Sequence, residues 1–159
     1  MTDNPKSRCP KEFFDYVVRR GLRQTPQRRA IVELVFSTRQ HFTAEQLYDW
    51  ARARDASVSR ATVYRTLTLL TESALIQELE LGKEVKYYDP NYVAHPDHNH
   101  IICLDCGEII EFGSPVIDRQ AQKIAQAQGF TVKSRRLQIL ATCDEFRKTG
   151  RCSRKVDMT

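Results

Sequence analysis

Residues 98–106, HNHIICLDC, constrain this chain more than any other stretch. Side chains alternate faces along an extended strand, so His98 and His100 point the same way and can grip one ion together. They form half of one metal site. Cys103 and Cys106, spaced so that a tight turn can present two thiolates to a tetrahedral ion, form half of a second. Ligand chemistry separates the two: soft thiolates select zinc, whereas imidazole mixed with carboxylate suits iron, manganese, zinc or cobalt.

A chain of 159 residues, 41% of them hydrophobic, is long enough for one ordinary domain or two small ones and should fold. The net charge of +5 is mild but unevenly spread. Residues 1–29 hold eight Lys or Arg against three acids, a local excess suited to phosphates, although a solvated basic helix face gives the same pattern. No apolar run approaches the ~18 residues of a membrane span, and MTDNPKSRCP lacks the apolar core of a signal peptide. A cytoplasmic location without membrane contact is expected. In that compartment five cysteines are metal ligands or thiols rather than disulfides.

Residues 11–20 carry Phe13, Phe14, Val17 and Val18 at helical spacing, with Gly21 placed to stop the helix. Thr25 followed by Pro26 reads as a cap and first turn of a second helix, with Ile31, Leu34 and Val35 as its apolar stripe. Thr43 and Gln46 form a capping box for a third helix that buries Leu47 and Trp50, its entry marked by His41 and Phe42. Ser59 caps a fourth, RATVYRTLTLLTES, with Val63, Leu67 and Leu70 on one side and Arg60, Tyr64 and Arg65 on another. Two strand-like runs, Leu75 to Glu80 and Val85 to Tyr88, follow around a turn at 81–84. Helices followed by a hairpin make a winged helix with the fourth helix as its natural DNA reader, although a core helix with an ordinary charged outer face gives the same pattern.

Asp89 closes the hairpin, and 91–97 has the composition of a connector. The expected organisation is α+β: an N-terminal winged-helix DNA-binding domain at 1–91, then a small α/β dimerisation and metal-binding domain at 92–159. In the second half, Ile101 and Ile102, then Ile109, Ile110 and Phe112, predict two strands flanking the C-x-x-C turn. A helix over 115–128, closed by Gly129, presents Val116, Ile117 and Ile124 to cover a sheet, and 130–132 with 137–140 predict further strand. A tail holding Cys143 and Cys152 ends the chain. Under about seventy residues make a thin core, so a metal staple and a partner copy are expected.

GLRQTPQR at 21–28, HFTAEQLY at 41–48, SRATVYRTL at 59–67, HNHIICLDCGEIIEF at 98–112, and then GFTV and RLQILATC together resemble the ferric uptake regulator (Fur) family of metal-dependent bacterial transcription regulators. The resemblance runs from Gly21 to Cys143. It implies a homodimer on a double-stranded operator, an A/T-rich inverted repeat, with pairing into tetramers left open. Tyr64 would contact a base, Arg60 and Arg65 phosphates, and Arg23 a narrow minor groove.

The resemblance also implies two sets of ligands. Structural zinc would take Cys103, Cys106, Cys143 and Cys152. The last departs from the family spacing, since eight residues separate it from Cys143. A flexible tail could close that loop, because doubling loop length costs only ~0.6 kcal/mol against an apparent ~10 to 16 kcal/mol for structural zinc. Cys9 matches nothing and reads as a thiol that holds no metal. A regulatory ion would take His41, Asp89, His98, His100 and Glu111, each of which alone would pass for an ordinary hydrogen-bonded side chain. A third site of some relatives corresponds to Asp97, Asn99, Asp118 and Arg135, where an amide and a cation replace an acid and a histidine, so two metals per subunit are expected.

Three imidazoles and two carboxylates with no thiolate favour ferrous iron, with manganese, zinc or cobalt able to substitute. Glu111 matches iron sensors, whereas Asp89 matches peroxide sensors. The reading adopted is a ferrous-iron-dependent repressor of iron uptake genes, the alternatives being a peroxide sensor or a zinc or manganese sensor of the same family. A zinc metalloenzyme is a rival of another class, but neither an H-x-E with P-C-x-x-C nor an H-E-x-x-H is present. A zinc-ribbon module without DNA would leave the basic half unexplained. No enzyme activity is expected.

Overall fold

The structure, a computed structural model, describes residues 8–80, 85–94 and 98–154. The chain divides into two compact units, Met1–Pro96 and Asp97–Thr159, a few residues past the boundary read from composition. The turn at 81–84, Asp97 and the end of the connector lie outside the described residues.

In the first unit, α1 (Cys9–Arg19) and α2 (Pro26–Ser37) precede a two-residue strand, β1 (Phe42–Thr43). Two more helices, α3 (Ala44–Arg54) and α4 (Arg60–Glu72), lead into β2 (Gln77–Glu80) and β3 (Lys86–Asp89). The caps act where the sequence puts them. Thr25 accepts from the Arg28 amide, Thr43 and Gln46 form a reciprocal capping box, and Ser59 accepts from the Thr62 amide, satisfying amides that a helix start leaves without partners. Phe13, Val17, Ile31, Val35, Leu47, Leu67 and Leu70 are buried together in one core. Ala74, at a φ of 57°, turns the chain from α4 into β2.

Three details depart from the sequence pattern. Val18 is 57% exposed, because a helix face wide enough for Phe13, Phe14 and Val17 turns the next residue outward. Trp50 is half-buried, with its ring edge-on to Phe42. β1 is too short to carry an alternation, yet it pairs antiparallel with β3, Phe42 opposite Tyr88, to give a sheet of order β1-β3-β2. Pairing through β3 rather than within the hairpin alone is what fixes the segment carrying His41.

The second unit is a three-stranded sheet of order β5-β4-β6, made by β4 (Asn99–Cys103), β5 (Ile109–Phe112) and β6 (Gln138–Ala141). β4 pairs antiparallel with β5 and parallel with β6, so the chain crosses over through α5 (Pro115–Ala127). Residues 130–132 form no strand: Gly129 ends α5 at a φ of 80°, and pairing with β4 starts only at Leu137, whose carbonyl accepts from the His100 amide at 3.0 Å. Nor does α5 cover the sheet. It buries no residue, and Val116 and Ile124 lie exposed. The expected tail is instead a sixth helix, α6 (Asp144–Thr149), capped by Cys143.

Candidate metal centres and nucleic-acid interface

α4 sorts its residues by helical period. Val63, Thr66, Leu67, Leu69 and Leu70 face the core, leaving Arg60, Tyr64, Arg65 and Thr68 on one exposed stripe. An exposed tyrosine between two arginines on a rigid helix can offer an apolar ring edge to a base and guanidinium forks to phosphates. Arg23 is exposed in the segment between α1 and α2. The Arg28 guanidinium donates to the Arg23 carbonyl and so braces that segment, a role invisible in the sequence. Burial holds Arg28 below the usual guanidinium pKa, and its Nε has no hydrogen-bond partner among the described residues.

Pairing of β1 with β3 sets His41 beside Asp89, with Nε2 to Oδ1 at 3.8 Å. Two donors of one ion, each ~2.1 Å from it, stand about 3 to 4 Å apart, so this pair fits a shared cation. Asp89 is fully buried, and its Oδ1 accepts from the Asn91 amide at 2.7 Å. The Asn91 side chain in turn donates to the Arg39 carbonyl at 2.8 Å. One buried asparagine thus ties the aspartate to the segment that precedes His41. Motif reading missed Asn91, because the Arg39 end of its link is 52 positions away in sequence.

In the second unit, His98 and His100 share a face as strand alternation requires, with ring centroids 4.5 Å apart. Register places Glu111 opposite His100, and Glu111 Oε1 lies 3.9 Å from His98 Nε2. Two imidazoles and a carboxylate therefore converge at one edge of the β4–β5 pair. His100 is buried and Glu111 is partly open to solvent.

The Sγ atoms of Cys103, Cys106 and Cys143 all lie within 4.8 Å of one another. Cys143 and Cys152 approach to 3.8 Å, and no disulfide links any of the cysteines. Four thiolates ~2.3 Å from a tetrahedral zinc would stand ~3.8 Å apart, the separation that Cys143 and Cys152 show, so the cysteines suit zinc in kind, with Glu145 also close to that last pair. Backbone amides of Cys106 and Phe146 reach the sulfurs of Cys103 and Cys143 at 3.4 Å. Burial pushes the Cys106 thiol up to about 12, with the neighbouring Cys103 and Cys152 thiols adding to the rise. Burial acts on Cys103 in the same sense, but hydrogen bonds from the Cys106 backbone and thiol outweigh it and hold Cys103 below the ordinary thiol value. A thiol as high as Cys106 is protonated at neutral pH, so metal uptake must release its proton.

The eight-residue gap closes through structure rather than slack. Helix α6 takes up six of those residues, and Gly150, at a φ of 72°, reverses the chain to return Cys152 to Cys143. Asp105 accepts from the Cys143 amide at 2.8 Å and from Arg147 Nε at 3.0 Å, joining the C-x-x-C turn to α6. Glu145 accepts from the amide and hydroxyl of Ser153 and holds the far side. Cys9 stands apart in the core of the first unit. At the degraded third position Arg135 donates to Asn99 Oδ1 at 2.8 Å and also to Asp118, so a guanidinium sits among those polar groups. Asp97 lies outside the described residues.

A winged helix with an exposed basic and aromatic stripe, a cysteine cluster and further histidine and carboxylate groups that could hold a metal are what a metal-responsive, DNA-binding transcription regulator requires. Residues 19–140 match the model of the ferric uptake regulator family. The chain is 36% identical over 137 residues to the ferric uptake regulation protein of Campylobacter jejuni, covering 84% of this chain and 86% of that protein. It is also 36% identical over 138 residues to the peroxide operon regulator of Bacillus subtilis, covering 87% and 93%. Among solved structures, that of the Helicobacter pylori ferric uptake regulator Fur, described as revealing three functional metal binding sites, superposes with a TM-score of 0.80 at 27% identity, over 89% of this chain and 93% of that one. This chain belongs to the ferric uptake regulator family. Among the described residues no helix is long and apolar enough to cross a membrane.

Proposed function

We propose that the protein is a ferrous-iron-dependent repressor that binds an A/T-rich inverted repeat as a homodimer, with residues 1–91 reading DNA and residues 92–159 pairing the subunits. The observation that carries this reading is the division of its hard and borderline donors. His41 and Asp89 form a two-donor set in one unit, and His98, His100 and Glu111 a three-donor set in the other. Neither set fills the coordination shell of an iron or manganese ion alone. An ion held by both sets at once favours whichever arrangement of the units lets them share it, through its higher affinity for that state. Arg60, Tyr64, Arg65 and Arg23 then contact the operator, the tyrosine at a base and the arginines at phosphates and the minor groove.

Pairing of subunits follows from what the second unit lacks. Among its described residues the buried hydrophobics are Ile102, Cys106 and Cys143, whereas Phe130, Val116, Ile124 and Leu140 are each more than half exposed. A core this thin needs zinc and a second copy to cover its apolar surface. Zinc at Cys103, Cys106, Cys143 and Cys152 fastens the sheet to α6. Thiols kept reduced for that purpose favour a cytoplasmic location.

The test is a titration of protein loaded with zinc alone, using duplex selected from a random pool. Ferrous iron or manganese is added anaerobically, and hydrogen peroxide afterwards. Binding switched on by either metal and retained by the iron form after peroxide supports the iron repressor. Binding without metal dependence sinks the shared-ion argument. Asp89, together with the likeness to the Bacillus subtilis peroxide regulator, favours a second reading as a peroxide sensor. Rapid release of the iron form alone would establish that one instead.

A further inference from the structure

The reading stripe of α4 is already engaged by a carboxylate of the same chain. Glu45, in the first turn of α3, accepts from Arg60 Nε at 3.0 Å and from a terminal Arg60 nitrogen, also at 3.0 Å. Its other oxygen takes the Tyr64 hydroxyl at 3.4 Å. The Arg60 guanidinium also stacks 4.3 Å above the ring of Tyr48, whose hydroxyl accepts from Arg52 at 2.6 Å. Two nitrogens of Arg60 thus converge on one oxygen of an anion, as they could on a phosphate oxygen, and the other oxygen of that anion holds the end of Tyr64.

We propose that Glu45 acts as an intramolecular stand-in for a DNA phosphate and sets the specificity of the interface. The inference rests on the DNA-binding reading above. Binding to arbitrary duplex draws almost all its strength from phosphate contacts. When Arg60 meets such a duplex it exchanges one anion for another, and the displaced carboxylate repels the backbone it faces. The exchange gains little. On a cognate site Tyr64 gains a base contact as it leaves Glu45, which offsets the loss, so Glu45 penalises wrong sequences more than the right one. Both Glu45 and Arg60 are about half exposed, so the pair opens without a large barrier.

The experiment compares wild type with Glu45→Gln, manganese-loaded, on a mixed-sequence duplex and on duplex selected by the wild type, across a salt series. Glutamine keeps the shape and an acceptor for Tyr64 while removing the charge. Expected is a gain of up to about fivefold on the mixed-sequence duplex at low salt, a salt slope steeper by about one, and a smaller gain on the selected duplex. Adding Arg60→Ala to Glu45→Gln should erase the gain. Glu45→Asp keeps a helix-stabilising charge in the first turn of α3 but withdraws the carboxylate, and should shift binding the same way by less. Zinc content and melting temperature of both variants report whether the fold survives. Unchanged mixed-sequence affinity and slope in both variants would overturn the inference, as would a gain that persists without Arg60, while leaving the repressor reading intact. A wild type that binds no duplex in any metal state removes that reading and this inference with it.

Discussion

Nine positions apart in the chain, Cys143 and Cys152 bring their sulfurs to 3.8 Å, the edge of a zinc–thiolate tetrahedron. Gly150, in the left-handed region, makes the return possible. Cys152→Ser should weaken zinc binding while leaving three thiolates, whereas Cys103→Ser, which removes a ligand from the end of β4, should abolish it. Gly150→Val should cost about 1 to 2 kcal/mol from backbone strain and speed zinc loss to a chelator without altering the ligands. Competition with a chromophoric chelator reads all three. Equal retention of zinc by wild type and Cys152→Ser would show that Cys152 is not a ligand.

Chelation should not unfold the whole protein. The core of the first unit contains no proposed zinc ligand, while the hydrophobic residues buried in the second unit, among those described, are Ile102 and two of the proposed ligands, Cys106 and Cys143. Amide exchange of the zinc-free protein is expected to show protected α2, α3 and α4 with unprotected β4 to β6. Uniform loss of protection in both units would mean that the first unit depends on the second for its stability.

Asn91 supports the His41–Asp89 pair without being a ligand. Asn91→Ala removes the 2.8 Å bond to the Arg39 carbonyl while leaving the amide bond to Asp89 in place. Loss of such a supporting contact typically lowers metal affinity about 10- to 100-fold. Manganese titration by paramagnetic resonance should show that drop with zinc content unchanged. A drop confined to thermal stability would mean that Asn91 only stabilises the fold.

Much of this was legible in advance where the signal is local. Thr25, Thr43 and Ser59 announce their helices by chemistry acting within one turn, and His98 and His100 need only strand alternation to share a face. What stayed hidden depends on contacts distant in sequence. Two residues cannot show a period, so β1 is visible only through its partner β3. The apolar face of α5 predicts burial, but within one subunit that face remains exposed. The spacing of Cys143 and Cys152 gave no hint of α6, because six residues of mixed charge carry no hydrophobic stripe. Asn91, Asp105 and Arg28 act through backbone groups, which no side-chain motif records.

Arg135 joins Asn99 on β4 to Asp118 on α5, where relatives with a third site are expected to hold an ion. A positive charge already occupies the place a metal would take, so metal titration should saturate at two ions per subunit, one zinc and one regulatory. Arg135→Ala should destabilise the second unit by about 1 to 3 kcal/mol, since Asn99 is buried and its side-chain carbonyl would lose its donor. Isothermal titration and thermal melting check the two statements separately. A third tight equivalent in the wild type would mean that the guanidinium yields to metal.

The brace on Arg23 offers a test of minor-groove reading that leaves the reading residue itself untouched. Arg28 is partly buried beneath the segment between α1 and α2 and donates to the Arg23 carbonyl. Lysine at position 28 retains the charge but loses the planar fork, so Arg28→Lys should loosen the segment while preserving net charge. If Arg23 reads a narrow groove, the variant should bind sites with A/T-rich flanks more weakly, by a few-fold, and discriminate less against G/C-rich flanks, with an unchanged salt slope. Arg23→Ala should instead lower both the affinity and the slope, by about one counterion. Competition between duplexes differing only in their flanks separates these outcomes. Identical flank preference in wild type and both variants would remove Arg23 from the interface and leave α4 as the sole reader.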